Sequence, residues 1–267
     1  MAIDKRLVIR NLLETKEIYT AFARATNLPY VVCDPETFND QIYVFTKEED
    51  VKSYVKQQAE QGIGLMGVRT FKQQYLNFFS TLVSLGVNAI VLCDEGEMEL
   101  DLNEIVKQPD YSQIPKEQRP LMNPQLQLTA IYFLQELRRP GKIEEKNNIR
   151  ELDEELSANL ARAEFLCPVE FEPLEERQDE SKRKFRFMLL KNKEGATYQP
   201  LCTDALEFKK FGKGNANIRP LKIPFAKLEK TLMKEAKGYV LNPQGFNLPL
   251  MREQLPLIRR RFGIEEA

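Results

Sequence analysis

The chain carries an internal repeat, and a repeat of this length constrains the architecture before the chemistry of any residue is considered. Ala23–Val31 and Ala161–Val169 share an Ala-Arg-Ala pattern followed by an apolar run. Further along, Ile90–Gly96 corresponds to Tyr239–Gly245. The matched blocks occur in the same order, and the insertions between them fall where surface loops tolerate them. We therefore predict two tandem, homologous modules.

The first repeated block sets the expected start of each module. It aligns Ile18 with Leu156, and the apolar residues around both recur at helical spacing. This pattern predicts a helix over Asp4–Thr26 and an equivalent helix over Glu144–Ala163.

The alternation of strands and helices predicts an α/β fold. Two apolar runs, which begin at Phe185 and Tyr198, follow one another closely. That closeness favours mixed sheets of the α+β kind, with helices packed on them, over strictly parallel sheets. Prolines concentrate between the copies and indicate a linker. We therefore predict a first, diverged module at 1–108, a linker and connecting helix at 109–143, and a second module at 144–267.

The charge balance argues against a strongly charged partner. The 267 residues include 39 Lys and Arg against 40 Asp and Glu, a net charge of −1, so no overall field attracts nucleic acid or an anionic membrane. The segment Met1–Asn11 lacks the apolar core of a signal peptide, and no apolar run is long enough to cross a bilayer. The four cysteines are widely spaced. We therefore expect a cytoplasmic protein that binds neither nucleic acid nor membrane and holds no metal or other cofactor.

The sequence contains no histidine, which removes Ser-His and Cys-His nucleophile pairs and histidine metal ligands. Cys93 follows an apolar strand, but its neighbours Asp94 and Glu95 oppose the formation of a thiolate. The G-x-G-x-x-G pattern at Gly62–Gly67 follows a charged helix, whereas a dinucleotide site needs a preceding strand. We therefore expect a protein without catalytic activity.

The two copies differ most after their last long apolar strand. In the first copy, acidic residues alternate over Glu95–Asp101, which indicates a strand with a solvated, charged edge. The equivalent segment Asn242–Leu250 is uncharged, and Phe246 and Leu248 alternate along it. Either packing against the closing helix or a partner-binding edge or groove explains this alternation. The candidate contact residues are Asn242, Pro243, Gly245, Phe246, Leu248, Asp94 and Gly96.

Three short motifs stand out in the second copy: Phe165–Val169, Tyr198–Asp204 and Gly238–Gly245. Together they resemble the N-terminal domain of the SseB family, the bacterial enhanced-serine-sensitivity proteins. The resemblance extends over about 155–258 and, more weakly, over 15–105, where Cys93-Asp94 replaces the Asn-Pro pair. It implies an α/β module without established catalytic residues.

These observations predict a bacterial, cytosolic interaction or regulatory protein that binds another protein or self-associates. The segment Asn242–Leu250 is its expected contact. The alternative is a binding protein or enzyme for a small, amino-acid-related molecule. That alternative places a pocket between the two modules, at strand ends where α/β sheets bind ligands. Its lining would be Asn242, Gly245, Asp94 and Gly96.

Overall fold

The computed structural model describes residues 4–115, 118–146, 148–172 and 184–265. These residues divide into two compact units. The first unit lies within Met1–Gln118 and Gln127–Ile149, and the second lies within Arg119–Leu126 and Arg150–Ala267. Both combine helices with parallel and antiparallel strands, so the predicted mixed α/β class is confirmed.

The first unit begins with a helix and then alternates strands with helices. Its elements are α1 (Lys5–Glu14), β1 (Glu17–Ala23), β2 (Leu28–Pro29), β3 (Val32–Cys33), β4 (Asp40–Phe45), α2 (Glu48–Glu60), β5 (Leu65–Phe71), α3 (Tyr75–Ser84), β6 (Ala89–Cys93), β7 (Glu97–Asp101) and α4 (Leu102–Ile105). The next helix, α5 (Pro124–Leu137), joins this unit from Gln127 onward.

Its sheet combines a long antiparallel pair with a shorter parallel pair. β1 pairs antiparallel with β5 along its whole length and also meets β4 at Tyr19↔Phe45. β4 runs parallel to β6, and β6 pairs antiparallel with β7. The short strands β2 and β3 pair antiparallel with β1 and β4, respectively. All residues of β6 before Cys93 are buried, as expected for a strand that is covered on both faces.

The N-terminal segment is not one helix, so the prediction of a helix over Asp4–Thr26 is wrong. α1 ends before Thr15, whose N–H and hydroxyl both donate to a carbonyl in the last turn. β1 follows, and all its residues from Ile18 to Ala21 are buried. The strand therefore lacks the polar alternation that distinguishes a strand from a buried helix. Because Ile18 lies on a strand and Leu156 on a helix, the first aligned block pairs unlike elements.

The second unit has a similar series of elements. They are α6 (Ile149–Arg162), β8 (Glu164–Phe171), β9 (Phe185–Phe187), β10 (Leu190–Lys191), β11 (Thr197–Leu201), α7 (Ala205–Gly212), β12 (Ile218–Pro224), α8 (Phe225–Thr231), β13 (Gly238–Leu241), β14 (Leu248–Met251) and α9 (Gln254–Arg261). Asn123 attaches the segment before α5 to this unit, because its Nδ2 donates to the Glu164 and Thr203 carbonyls at 2.9 and 2.6 Å.

The strand pairing of the second unit follows the pattern of the first. β8 and β12 form the long antiparallel pair. A bridge at Leu166↔Cys202 joins β8 to the residue after β11, as Tyr19↔Phe45 joins β1 to β4. β11 runs parallel to β13, and β13 pairs antiparallel with β14. The two units thus share the order of their main helices and strands and the direction of each of these pairings.

Candidate functional site

Polar motif residues of the second unit converge at one end of its parallel strand pair. Thr203 and Asp204 follow β11, and Asn242 follows β13. Because β11 and β13 run parallel, their carboxyl ends lie at the same edge of the sheet. Open α/β sheets bind ligands at such an edge.

Asn242 fixes the geometry of this edge. It is buried and has a φ of 47°, a left-handed conformation that asparagine tolerates better than most residues. Its Oδ1 accepts the Thr203 backbone N–H at 2.9 Å, and its Nδ2 donates to Thr203 Oγ1 at 2.8 Å. Its carbonyl accepts the N–H groups of Gly245 and Asn247 at 2.9 and 3.1 Å. Asn242 therefore joins two turns, which is a structural role.

A buried carboxylate lies beside the second of these turns. Glu207, in the first turn of α7, donates its N–H to Asp204, which caps the helix, at 2.9 Å. Glu207 Oε1 accepts from the Lys210 ammonium, whereas Oε2 has no hydrogen-bond partner among the described residues. Burial raises the pKa of the Glu207 carboxyl, although the Lys210 ammonium acts in the opposite direction. A Cβ on Gly245 would lie 2.8 Å from Glu207 Oε2, which explains the glycine.

The apolar residues that alternate after this turn pack in the core. Phe246 is 1% exposed, and Leu248 and Leu250 are also buried. Core packing therefore explains the alternation, and the side chains of Phe246 and Leu248 are not available to a partner in this conformation. The intervening residues, Asn247 and Pro249, are exposed.

The exposed side of this segment borders a groove of about 320 Å³ on the sheet β10–β11–β13–β14. The groove is lined by Leu190, Lys191, Asn192, Tyr198, Val240, Pro243, Gln244, Asn247 and Pro249. Val240 lies directly opposite Pro249 across the β13–β14 pair. Lys191 is the one charged side chain in this lining, so the groove is largely uncharged. Of the predicted contact residues, Pro243 belongs to it.

β14 is an edge strand, but its edge is unsuited to pairing with another strand. The Arg252 N–H donates to the Lys237 carbonyl at 2.9 Å, so the backbone groups of Pro249 and Met251 point away from β13. Pro249 has no N–H, and the Met251 N–H donates to Gln254 Oε1 at 2.7 Å. Proline and occupied donors hinder strand addition at an edge. The face of the sheet, and not its edge, is the surface open to a partner.

The predicted contact residues of the first copy lie in the other unit. Asp94 and Gly96 are exposed in the turn between β6 and β7. Asp94 Oδ1 accepts from Thr46 Oγ1 at 2.8 Å. This bond joins the residue after β4 to the turn after β6, as Asn242 and Thr203 join the corresponding turns of the second unit.

The thiols and the glycine motif have structural surroundings. Burial raises the pKa of Cys93 to about 12 and that of Cys167 to about 11, and it also raises the pKa of Cys202. Gly62 ends α2 with a φ of 76°, and Gly67 lies within β5, so the G-x-G-x-x-G pattern does not open a helix. Among the described residues, no group of three or more histidine, cysteine or acidic side chains could hold a metal ion. None of the helices in the described ranges is long and apolar enough to cross a membrane.

Comparison with protein families adds to this geometry. Residues 144–256 match the SseB protein N-terminal domain. The match confirms the resemblance of the second copy to SseB, and the range contains all three motifs. The first copy lies outside the matched range. No curated protein matches the chain.

Two solved structures are similar to the whole chain at low identity. Tic22 from Plasmodium falciparum is 13% identical, with 96% of this chain and 99% of that chain covered and a TM-score of 0.22. Anabaena Tic22, a protein of protein transport, is 10% identical, with 97% and 98% covered and a TM-score of 0.20. At these TM-scores, neither likeness carries an argument about fold or function.

The SseB-matching segment therefore contains two kinds of residue. Its motif residues, such as Thr203 and Asn242, hold the turns in place. The groove depends on Tyr198 and Val240, which belong to the motifs but are not among the predicted contact residues. The sequence does carry a signal for these two residues, because each lies in an apolar strand whose side chains alternate between its two faces. That signal does not show which face of the strand remains open.

Proposed function

We propose that this chain is a bacterial, cytoplasmic interaction protein without catalytic activity, which binds a protein partner through the groove of its second unit. The observation that carries the proposal is the open, almost uncharged sheet face at Tyr198, Val240 and Pro249. A concave surface that combines apolar side chains with a few polar groups is typical of a binding site.

We also propose that both units are SseB-like modules that arose by tandem duplication. The shared order of elements supports this proposal, as does the equivalent placement of the Tyr19↔Phe45 and Leu166↔Cys202 bridges. In this interpretation the first unit has diverged and has lost the Asn-Pro turn, which leaves the binding role to the second.

The lining of the groove indicates the chemistry of the partner. Burying apolar area against Val240 and Pro249 would contribute about 25 cal/mol per Å². Gln244 supplies hydrogen-bonding groups beside this apolar surface. Because Pro249 and Gln254 protect the edge of β14, the partner inserts an apolar side chain into the sheet face and does not add a strand.

The absence of catalysis is supported by the state of the reactive groups. The raised pKa of Cys93, about 12, leaves the thiol protonated at neutral pH. Glu207 is a buried carboxylate with a raised pKa, but its Oε2 faces the Gly245 turn and not the groove. A general acid must reach a bound substrate to act.

The substitution Pro249→Asp tests the proposed surface. It places a charge in the lining of the groove at an exposed position, so we expect the fold to persist and partner binding to fall by about tenfold or more. The measurement is quantitative capture of partner proteins by the full chain from a bacterial lysate, together with a thermal melt.

Leu257→Asp is the matched control, because Leu257 is an exposed residue of α9 in the same unit. This variant should capture the partner as the natural chain does. Undiminished capture by a folded Pro249→Asp variant would show that the groove is not the contact.

A small-molecule ligand is a second candidate because the groove, at about 320 Å³, lies at the lower limit of ligand sites, about 300–1,000 Å³. This candidate uses the groove of the second unit, whereas Asp94 and Gly96 belong to the first. A thermal-shift screen against amino acids tests it. A ligand at a hundredfold excess over its Kd would stabilise the fold by about 2.7 kcal/mol, and a flat screen would count against this candidate.

A further inference from the structure

Phe38 is an exposed aromatic residue in the first unit. Its side chain is 75% exposed, and its φ is 57°. A positive φ is unfavourable for a bulky residue and is normally adopted by glycine. The turn therefore holds a large apolar side chain in solvent at a position where glycine would fit better.

The turn that carries Phe38 is held by several hydrogen bonds. The Phe38 N–H donates to the Asp34 carbonyl, and the Asp34 N–H donates to the Asn39 carbonyl, both at 2.9 Å. The Asp34 carboxylate accepts the N–H groups of Glu36 and Thr37 at 2.9 and 2.8 Å. The backbone beneath the ring is thus ordered before any binding, which lowers the entropy cost of using the ring as an anchor.

The surroundings of Phe38 are acidic. Asp34 and Glu36 belong to its turn, and Asp40 begins the next strand. Thr37 Oγ1 donates to Glu99 Oε2 of β7 at 3.3 Å, so the acidic edge strand lies beside the turn. A surface that receives Phe38 should therefore be apolar and free of carboxylates.

We propose that Phe38 of one copy of this chain binds in the groove of a second copy. The proposal rests on the proposed function, because it names a partner for the same groove. The lining there is apolar at Tyr198, Val240 and Pro249, contains no carboxylate, and carries the Lys191 ammonium, which complements the acidic turn.

Each copy carries one Phe38 and one groove, so the contact either closes as a reciprocal dimer or continues head to tail. One side chain in one groove buries a small area, and such contacts are weak and depend on concentration. The association should therefore appear only in concentrated solution.

Sedimentation equilibrium of the full chain, from about 10 µM to about 1 mM, tests this contact in the range where weak association becomes measurable. We expect the average mass to rise with concentration for the natural chain. Phe38→Ser and Pro249→Asp should each weaken association about tenfold or more. An equal mixture of these two variants should form a heterodimer, because one variant keeps the groove and the other keeps Phe38.

Two further variants control for folding and for general stickiness. Phe38→Gly should melt at an unchanged or higher temperature while it loses association, because glycine adopts the positive φ without strain. Leu76→Ser removes another exposed apolar side chain of the same unit and should leave association intact.

A natural chain that remains monomeric over the whole range would overturn this inference, as would association that survives Phe38→Ser or a mixture that forms no heterodimer. These failures are distinct from failure of the proposed function. The natural chain could be monomeric and yet capture a protein that the Pro249→Asp variant does not capture. In that case the groove binds a different partner and the proposed function stands.

Discussion

The two units close the carboxyl end of their parallel strand pair in different ways. In the first unit, Thr46 donates to the exposed Asp94 carboxylate at 2.8 Å. In the second, the buried Asn242 amide bonds to both the backbone and the hydroxyl of Thr203. Burying a carboxylate costs more than burying an amide whose hydrogen bonds are satisfied. The second arrangement closes the same turn without placing a charge on the sheet.

The edge strands of the two units also differ in charge. β7 carries Glu97, Glu99 and Asp101 at alternate positions, and these charges hinder pairing with another strand. β14 achieves the same protection with Pro249 and Gln254, neither of which is charged. Charge protects an edge but also makes the adjoining face polar, whereas proline leaves that face apolar. The edge strand beside the groove, β14, therefore adds no charge to the sheet face.

The largest expected effect concerns the close approach of β13 and β14. A Cβ on Gly238 would overlap the Leu250 carbonyl oxygen and would lie 2.8 Å from Met251 Cα. Because backbone atoms would have to move, we expect Gly238→Ala to lower the free energy of unfolding by about 3 kcal/mol. Urea unfolding measures this change.

Ala89 provides the control in the first unit, where it pairs with Asp101 as Gly238 pairs with Met251. Ala89→Gly should cost only about 0.5–1 kcal/mol, the usual cost of adding backbone freedom. Similar losses for the two substitutions would contradict the view that the strands of the second unit pack more closely at this position.

The second prediction compares the two turn closures directly. Asn242→Ala leaves buried Thr203 groups without their partner and places alanine at positive φ, so we expect a loss of about 2–3 kcal/mol. Asn242→Gly should recover about 1 kcal/mol of that loss, because only the conformational part is relieved. Asp94→Ala should cost less than about 1 kcal/mol, since its bond to Thr46 is exposed.

Equal losses for Asn242→Ala and Asp94→Ala in urea unfolding would show that burial does not distinguish the two closures. If Asn242→Ala and Asn242→Gly lowered the free energy of unfolding equally, the positive φ at position 242 would make no contribution to the loss.

The second unit could be predicted from its sequence more fully than the first because its signals are local. Asp204 caps α7 and Asn242 begins a tight turn, and both residue types are favoured at such positions for reasons that act within a few residues. In the first unit, the prediction of a helix over β1 is wrong because consecutive residues from Ile18 to Ala21 are all buried. Burial of that kind is set by the fold and leaves no period in the sequence.

The candidate site could be predicted only in part. The contrast between an acidic and an uncharged segment indicates the segment that borders the groove, and Pro243 lines the groove. The side of the strand was not predictable, because Phe246 and Leu248 alternate equally well toward a core or toward a partner. The groove also needs Tyr198 and Leu190, which come from other strands and are brought together by sheet pairing.

The smallest expected effect concerns Glu207, a buried carboxylate in the second unit whose pKa is raised by burial. Because the folded chain then holds this proton more tightly than the unfolded chain, Glu207 favours the fold most at low pH. This contribution is lost as the pH rises from the ordinary glutamate pKa through the raised value. Glu207→Gln has no such titration, so the natural chain should lose stability relative to this variant as the pH rises above the ordinary glutamate pKa of about 4.3.

Urea unfolding at several pH values measures this difference, and Glu235→Gln, at an exposed position of the same unit, is the control. Lys210 makes the outcome informative, because its ammonium favours the charged carboxylate and opposes the effect of burial. If the Lys210 contact outweighed burial, the folded pKa would be lowered. The natural chain would then gain stability relative to Glu207→Gln as the pH rises toward the ordinary glutamate pKa and would show no further change above it. A loss of stability relative to Glu207→Gln with rising pH would show that burial controls the pKa of the carboxyl group beside the Gly245 turn. A gain would show that the ion pair with Lys210 controls it.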